Sequence, residues 1–363
     1  MRPQRLTDEP LDRGQTLLRD AVAGISVALI LIPQALAYAE IAGVPPYVGL
    51  YAAALPPIAA AIFASSPYLQ TGPVAMTALL AFGGLSAFAE PFTREWVELA
   101  ALLALLVGVV RIVIGAVRGG FIAFLMSQPV LLGFTSGASI LIVASQLPKA
   151  FGVDPKGDTI LERLWWTFTN ATAWDIAAIA FAAATIVLVV GGRRVSGLFP
   201  GVLVAVVAAI LISEATSYGG AVVGEIPAGF PPLSLGLPWG STLALIPPAI
   251  VIALVGFAEP SAIARQYATE ERQRWDPNRE FISQGAANLA SGISGGFPVG
   301  GSFSRSSINK LAGARSRMSG AITGLGVLAF LPIAFVLESL PQAVLGGIVV
   351  ACLLYTSDAA EEH

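Results

Sequence analysis

Long apolar runs separated by short polar segments make up most of the chain and predict a series of membrane-spanning helices. A helix needs about 20 apolar residues to cross a bilayer. We predict twelve spans, at about 21–42, 48–65, 69–89, 96–117, 121–147, 174–190, 200–215, 243–264, 281–295, a tenth ending near 314, 319–337 and a twelfth from 343. Pro129 predicts a kink in the fifth run, and residues 148–170 predict a polar loop. The pattern indicates an all-α polytopic membrane protein.

Composition supports this class of protein and excludes several kinds of site. The chain is 55% hydrophobic and only 12% charged, with a mean hydropathy of +0.77, which excludes an ordinary soluble domain. Its one cysteine, Cys352, and its one histidine, His363, exclude disulfides and histidine- or cysteine-based metal sites. Without clustered carboxylates either, we predict neither an enzyme nor a cofactor, and nothing indicates nucleic-acid binding.

The distribution of positive charge predicts the orientation in the membrane. With the N-terminus inside, the outer segments hold only Arg94, Lys149, Lys156 and Arg163, whereas fourteen lysines and arginines fall on the inner side. Such an excess is typical of cytoplasmic segments. The sequence therefore predicts a multi-pass membrane protein whose N-terminus is cytoplasmic; the location we expect, as for a bacterial member of the family that the chain resembles below, is the inner membrane.

Two interruptions of the apolar pattern predict a binding site. Residues 295–307 hold glycines, a proline, serines and Arg305 at membrane depth, where irregular backbone is tolerated only inside protein or beside a cavity. We predict extended chain followed by a half-helix from Phe303, and a matching half-helix near Pro73 in residues 68–77. Helix N-termini attract anions, and paired interrupted spans are typical of transporter binding sites.

Three polar residues of the tenth span are candidates for binding an anion. A charge at membrane depth is a functional candidate, so Arg305 is assigned an electrostatic role, the alternative being a structural bond to a carbonyl. Ser302 and Ser304 are candidate donors, although Ser304 would also fit a simple helix cap. Arg111, in the fourth span, is interpreted as structural.

A longer motif identifies a family that the chain resembles. The sequence QALAYAEIAGVPP at residues 34–46, with GLY at 49–51, resembles the signature of the SulP anion transporters, the sulfate permease family related to prestin and pendrin. Gly72-Pro73 and Ser302-Phe303-Ser304-Arg305-Ser306 support it. The resemblance covers about residues 20–350.

The resemblance implies a seven-plus-seven inverted-repeat fold with broken third and tenth spans. Spans 1–4 and 8–11 would form a core domain, and 5–7 and 12–14 a gate domain. Residues 1–20 would be a cytoplasmic segment, 21–223 the first repeat, 224–242 a linker and 243–355 an incomplete second repeat. We expect 356–363 to be an artefactual polar tail, with no STAS domain. Ending at about the twelfth span puts dimerisation and activity of this chain in question, whereas the full-length protein would be a homodimer.

The family also implies further residues of the substrate pocket. Gln34 and Tyr38 lie on one face of the first span and would line it. Val74 and Ala75 would contribute the end of the third span, and Phe303 an apolar wall.

Two acids are candidates for a coupling ion. Glu40 lies near the end of the first span, and Glu259 lies within the eighth. A carboxylate beside an anion site repels the substrate unless protonated, which indicates proton coupling. The alternatives are a solvated, interfacial Glu40, and a Glu259 that pairs with Arg305 or binds the tenth segment structurally.

These features predict a secondary active transporter of small anions such as sulfate, bicarbonate, chloride or a dicarboxylate. The mechanism would be proton-coupled symport by movement of core against gate, with sodium as another possible coupling ion. The alternative is a passive channel or an exchanger without proton coupling. The expected partners are the lipid bilayer, a small inorganic or carboxylate anion and the coupling ion.

Overall fold

A computed structural model of the chain describes residues 12–124, 128–157, 159–196 and 199–361. Within these ranges it has fifteen α-helices and two short strands. They are α1 Arg13–Ile41, α2 Pro46–Phe63, β1 Gln70–Gly72, α3 Ala75–Leu85, α4 Arg94–Ala116, α5 Gln128–Ala150, α6 Ile160–Thr169, α7 Ile176–Ile186, α8 Gly192–Val195, α9 Gly201–Thr216, α10 Thr242–Val255, α11 Ala258–Glu270, α12 Pro277–Ile293, β2 Gly300–Ser302, α13 Phe303–Leu311, α14 Met318–Phe330 and α15 Gln342–Glu361. A π-helical turn, Val187–Gly191, extends α7, and a 3-10 turn, Leu331–Leu337, extends α14.

The predicted spans correspond to these elements, and the two interrupted ones are interrupted in the structure. Among the described residues, five helical stretches are long and apolar enough to cross a membrane by length and composition. They are Arg13–Ile41, Pro46–Phe63, Arg94–Ala116, Trp239–Glu270 and Met318–Leu337. The third and tenth spans consist of a strand followed by a helix, as predicted.

The eighth span, predicted as one helix, is two helices. α10 ends at Val255, and α11 begins at Ala258. Pro260 lies in the first turn of α11 and has no N–H to donate to the carbonyl of Gly256, so one helical bond across this point is missing. The break places Glu259 in the first turn of a new helix rather than in the middle of a long one.

The region of the fifth span also differs from its prediction. A 3-10 turn, Gly119–Phe124, precedes α5, and Pro129 lies in the first turn of α5 rather than at a kink within it. Residues 125–127 lie outside the described residues. The predicted polar loop 148–170 contains the end of α5 and all of α6. Thr159 and Glu162 form a capping box at the start of α6, with reciprocal bonds of 3.2 Å.

The C-terminal helix is longer than predicted. We expected the apolar run to break after Tyr355, but the backbone of α15 continues as a helix to Glu361. Residues 362–363 lie outside the described residues. The predicted polar tail is therefore helical over residues 356–361.

Two sets of elements repeat the same order and exchange packing partners. The order helix, helix, strand, helix, helix occurs in α1, α2, β1, α3 and α4, and again in α10–α11, α12, β2, α13 and α14. α4 packs against α12 as α14 packs against α2, while α1 contacts α13 and α14 as α10 contacts α3 and α4. We call these elements the core bundle. Their exchange of partners is the relation expected of inverted repeats.

The closest packing in the core bundle depends on glycine. A Cβ atom at Gly108 of α4 would lie 2.9 Å from the carbonyl oxygen of Gly285 on α12, and a Cβ at Gly285 would lie 2.9 Å from the carbonyl of Gly108. Small residues let membrane helices approach to backbone contact. The two repeats are therefore held together tightly behind the broken spans.

A second group of helices packs beside the core bundle. α15 packs against α5 and α7, and α9 packs against α7; we call α5, α7, α9 and α15 the side bundle. α15 also contacts α1 and α13 of the core bundle. The side bundle therefore reaches the tenth span through α15.

Candidate functional site

The two broken spans meet in a short antiparallel ladder. Gln70 pairs with Ser302 and Gly72 with Gly300, and all six strand residues are buried. Because the strands are antiparallel, α3 and α13 leave the ladder in opposite directions with their N-terminal ends at it. The predicted meeting of two half-helix ends is thus present in the structure.

Neither helix end at the ladder is capped by its own cap residue. α3 begins at Ala75 after the buried cap Val74, and α13 begins at Phe303 after the buried cap Ser302. Neither cap side chain accepts a bond from its helix. The first N–H groups of a helix have no partner within it, so both ends offer donors at one buried place.

Polar side chains of α12 support the irregular backbone around the ladder. Gln284 donates to the Thr71 hydroxyl at 2.7 Å. The Asn288 amide donates to the Val299 carbonyl and accepts from the Val299 N–H, both at 3.0 Å, as a neighbouring strand would. Buried backbone groups need such partners. We missed this support, although residues 284 and 288 form one polar face at helical spacing.

Arg305 is fully buried beside the ladder and incompletely hydrogen-bonded. Its Nη1 donates to Gln34 Oε1 at 3.3 Å. Its Nε and Nη2 find no acceptor within the described part of the chain. A Cβ atom at Gly72 would lie 3.6 Å from Nη2 and 3.6 Å from the Leu31 side chain. Two nitrogens of a buried cation are therefore available to a ligand next to the ladder.

Gln34 and Tyr38, the candidates from the first span, lie together at Arg305. Both are buried, and Tyr38 follows Gln34 by about one turn on the same face of α1. The Gln34 amide donates from Nε2 to the Cys352 sulfur of α15 at 3.1 Å. Cys352 had not been predicted as part of the site, because nothing in its own sequence segment indicates which helix it faces.

Glu259 contacts the end of α13 rather than Arg305. Its Oε1 accepts from the Phe303 N–H at 3.2 Å. No carboxylate oxygen in the described ranges lies within 4.0 Å of an Arg305 nitrogen as an ion pair, although Glu259 and Arg305 interact electrostatically. The direct pair with Arg305 that we had weighed is absent, and the alternative of a bond to the tenth segment is the one observed.

Glu40 lies in an ion pair away from the ladder. Its Oε2 accepts from Lys149 Nζ at 2.5 Å, and the Glu40 side chain is only 3% exposed. The interpretation of Glu40 as solvated and interfacial is therefore wrong. Its partner comes from α5, so the pair joins the core bundle to the side bundle. Lys149 could not have been paired with Glu40 from the sequence.

The remaining candidates lie at or beside the start of α13. The hydroxyls of Ser302 and Ser304 are 3.4 Å apart and both residues are buried. Phe303 is only partly buried and packs against the cluster that contains Tyr68 and Leu69. The structure therefore places all the candidate site residues around the ladder, except the coupling-ion candidate Glu40.

Comparison with known proteins is consistent with this arrangement. The sequence model of the sulfate permease family matches residues 17–359. A probable sulfate transporter of Mycobacterium tuberculosis (strain CDC 1551 / Oshkosh) is 36% identical over 349 residues, covering 94% of this chain and 62% of the relative. The chain spans about half the length of other curated relatives that it matches.

Two solved structures share the fold. The transmembrane domain of a cyanobacterium bicarbonate transporter, BicA, superposes with a TM-score of 0.84 at 24% identity, covering 95% of this chain and 90% of that one. The murine Slc26a9 anion transporter in the inward-facing state superposes with a TM-score of 0.85 at 22% identity, covering 99% and 67%. At this identity the likeness establishes the fold alone.

Proposed function

The chain belongs to the sulfate permease family, and we propose that it is a secondary active transporter of small anions. The observation that carries the proposal is the buried Arg305 guanidinium, whose Nε and Nη2 have no acceptor among the described residues and lie beside two helix N-termini. The proposed substrate is sulfate, bicarbonate, chloride or a dicarboxylate, carried across a bacterial inner membrane with the N-terminus in the cytoplasm.

The energetics of burial favour an anion at this place. A buried charge without a partner costs several kcal/mol, and one neutral bond to Gln34 does not remove that cost. The ends of α3 and α13 add about half a positive charge each. An anion between them would supply acceptors for the open N–H groups of Arg305 and for the first N–H groups of α3 and the Ser304 N–H of α13.

Each site residue has a role in this proposal. Arg305 supplies charge, and the backbone N–H groups at Ala75 and Ser304 supply directed donors. Gln34 orients the guanidinium through its carbonyl oxygen. The hydroxyls of Ser302 and Tyr38 add donors, and Val74 with the near part of Phe303 supplies apolar wall.

We infer that transport follows movement of the core bundle against the side bundle. The core bundle carries the ladder, and the side bundle contacts the core bundle through α15 against α1 and α13, α9 against α1, and α5 against α3. The Glu40–Lys149 pair joins the two bundles, so a movement at that place has to separate these residues or carry α5 with α1. This corresponds to the core and gate domains that the family resemblance implies.

Proton coupling through Glu259 is the form of transport that the geometry supports best. In its charged form the Glu259 carboxylate accepts a hydrogen bond from the Phe303 N–H, the first of α13, and repels an anion beside it. Protonation removes that charge and favours entry of the anion, so a proton and an anion would travel together. Glu40, already neutralised by Lys149, is the weaker candidate for the carrier. Sodium coupling, exchange and passive conduction are the competing outcomes.

Uptake into proteoliposomes tests the proposal. Radiolabelled sulfate, bicarbonate, chloride and succinate are supplied with and without an inward proton gradient, and Arg305→Ala vesicles serve as the matched control. We expect accumulation of at least one anion above its outside concentration, driven by the proton gradient and lost in the control. Equilibration without accumulation would indicate a channel, and dependence on an internal anion would indicate exchange. No uptake of any anion would contradict transport.

A further inference from the structure

A relay of three side chains connects the proposed anion site to the side bundle. Arg305 of α13 donates to the Gln34 carbonyl oxygen of α1 at 3.3 Å, and the Gln34 amide donates to the Cys352 sulfur of α15 at 3.1 Å. Cys352 is 5% exposed, and it is the only cysteine of the chain. One side chain of the twelfth span therefore contacts a residue that holds the anion-binding cation.

The Gln34 amide N–H has a weak acceptor in the relay. Sulfur is a weak hydrogen-bond acceptor, so the Gln34 N–H is held by a weaker bond than an oxygen would give. An anion is a stronger acceptor and makes charge-assisted bonds. An anion that binds Nε and Nη2 of Arg305 would share that guanidinium with Gln34, which is bonded to Nη1. To donate to this anion, the amide N–H would have to turn away from the sulfur.

The position of Cys352 supports the same interpretation. Two hydrogen bonds through Gln34 connect its sulfur to the buried Arg305 guanidinium, so the sulfur lies one side chain away from the site. Arg305 itself is completely buried with two nitrogens that lack acceptors in the described part of the chain. The ligand that these nitrogens require would lie within reach of the relay.

We propose that Cys352 is a positioning residue of the anion site, which holds the Gln34 amide while the site is empty and releases it to the bound anion. The proposal rests on the function proposed above. It makes α15 the element through which occupancy of the ladder is communicated to the side bundle, because binding breaks the one hydrogen bond described here between Gln34 and that bundle.

Thiol labelling tests the location of Cys352 without knowledge of the substrate. The native chain in proteoliposomes is treated with a methanethiosulfonate reagent that carries a sulfonate, and separately with one that carries trimethylammonium. Each rate is divided by the rate of the same reagent with free cysteine in solution. We expect the anionic reagent to be favoured by more than about tenfold, the size of one charge-assisted hydrogen bond, and sulfate to slow it.

Two variants control the labelling. Arg305→Gln should abolish the preference for the anionic reagent. Cys352→Ala combined with Ala343→Cys moves the thiol to a buried position of the same helix that packs against Ala178 and Ala182 of α7, and labelling there should show neither charge preference nor sulfate protection. A native thiol that prefers the cationic reagent, shows no preference, or reacts only after unfolding would overturn the proposal.

Substitution of the sulfur tests the release of Gln34. Cys352→Ser supplies a stronger acceptor, so sulfate affinity should fall about two- to tenfold, the range of one ordinary hydrogen bond. Cys352→Ala removes the acceptor, so affinity should rise by up to the same factor. A role in packing alone predicts loss with alanine at least as large as with serine, and that order would overturn the proposal. Failure of the native chain to bind any anion would instead contradict the proposed function, since the charge preference in labelling does not depend on transport.

Discussion

Two fully buried arginines of the membrane-spanning region differ in how their nitrogens are used. Arg111 of α4 donates from Nε to Ala253 O at 3.3 Å, from Nη1 to Val299 O at 3.0 Å and from Nη2 to Ile252 O at 3.2 Å. Arg305 makes one bond and leaves two nitrogens without an acceptor in the described ranges. Burial alone therefore does not distinguish a structural arginine from a functional one.

The difference follows from what surrounds each guanidinium. Arg111 meets the carbonyl end of α10, where backbone oxygens have room for a further donor because the span breaks there. A cation at a helix C-terminus is also favoured by the helix dipole. Arg305 lies instead beside the N-terminal ends of α3 and α13, and no acceptor in the described ranges binds its Nε or Nη2. The first environment supplies an acceptor to each of the three Arg111 nitrogens. The second leaves two Arg305 nitrogens for the ligand that we propose.

The largest effect is expected from removal of the structural arginine. Arg111→Ala leaves the Ala253 carbonyl without its donor, removes one of two donors from the Val299 and Ile252 carbonyls, and opens a cavity. We expect a loss of about 2–5 kcal/mol in unfolding free energy, from an unsatisfied buried group together with the cavity. Thermal unfolding in detergent measures it, with the exposed Arg118→Ala as control. Unchanged melting combined with lost anion binding would reverse the assignment of the two arginines.

Removal of the site arginine should act on binding instead. Arg305→Ala loses a charge-assisted interaction of about 1.5–3 kcal/mol, so anion affinity should fall roughly ten- to a hundredfold. Arg305→Lys should recover part of the lost affinity, because at a site for differently shaped anions the positive charge matters more than the paired N–H groups of a guanidinium. Melting should not fall, because a poorly satisfied buried charge is removed. A destabilised Arg305→Ala that binds its anion normally would make Arg305 structural as well.

A side chain at Gly72 should block the space beside Arg305 without touching Arg111. The φ of +158° at Gly72 strains alanine and valine alike, so the two variants are compared with each other. The alanine Cβ has room, because it would lie 3.6 Å from Arg305 Nη2 and from Leu31. Valine adds methyl groups in that space at a cost of about 1–3 kcal/mol for overpacking. Titration of sulfate should therefore show near-native affinity for Gly72→Ala and about tenfold weaker affinity for Gly72→Val. Equal affinities would place the anion elsewhere.

The local features of the site could be predicted from the sequence, and its long-range contacts could not. Gly72-Pro73 and the glycine-rich run before Phe303 cannot form continuous helix, which located both broken spans. Arg305 could be assigned because a charge at membrane depth is costly. These inferences depend only on neighbouring residues and on the membrane as solvent.

The missed features depend on pairs that are distant in the chain. Lys149 is 109 residues from Glu40, and Cys352 is 318 residues from Gln34. Neither partner is marked by its own neighbours, and only the packing of the two bundles brings them together. The break at Gly256 was missed for a related reason. Arg111, from another helix, donates to the carbonyls of Ile252 and Ala253 at the end of α10, and the sequence around the break does not show this partner.

The smallest effect concerns the carboxylate that shares the end of α13 with Arg305. Glu259 accepts from the Phe303 N–H, and a charge at a helix N-terminus is worth about 0.3–1 kcal/mol. Protonation of Glu259 should therefore raise the affinity for the anion by roughly two- to fivefold.

As external pH falls, Glu259 becomes neutral and uptake should rise in the native chain. Glu259→Gln imitates the neutral form, so its anion affinity should equal the native value at low pH and stay there as pH rises, whereas proton-driven accumulation should be lost because the amide carries no proton. Glu40→Gln, which alters an acid already paired with Lys149, should keep the native pH dependence. Dependence that survives in Glu259→Gln and in the double variant would exclude both acids as carriers and leave Arg305 as a site for an uncoupled anion.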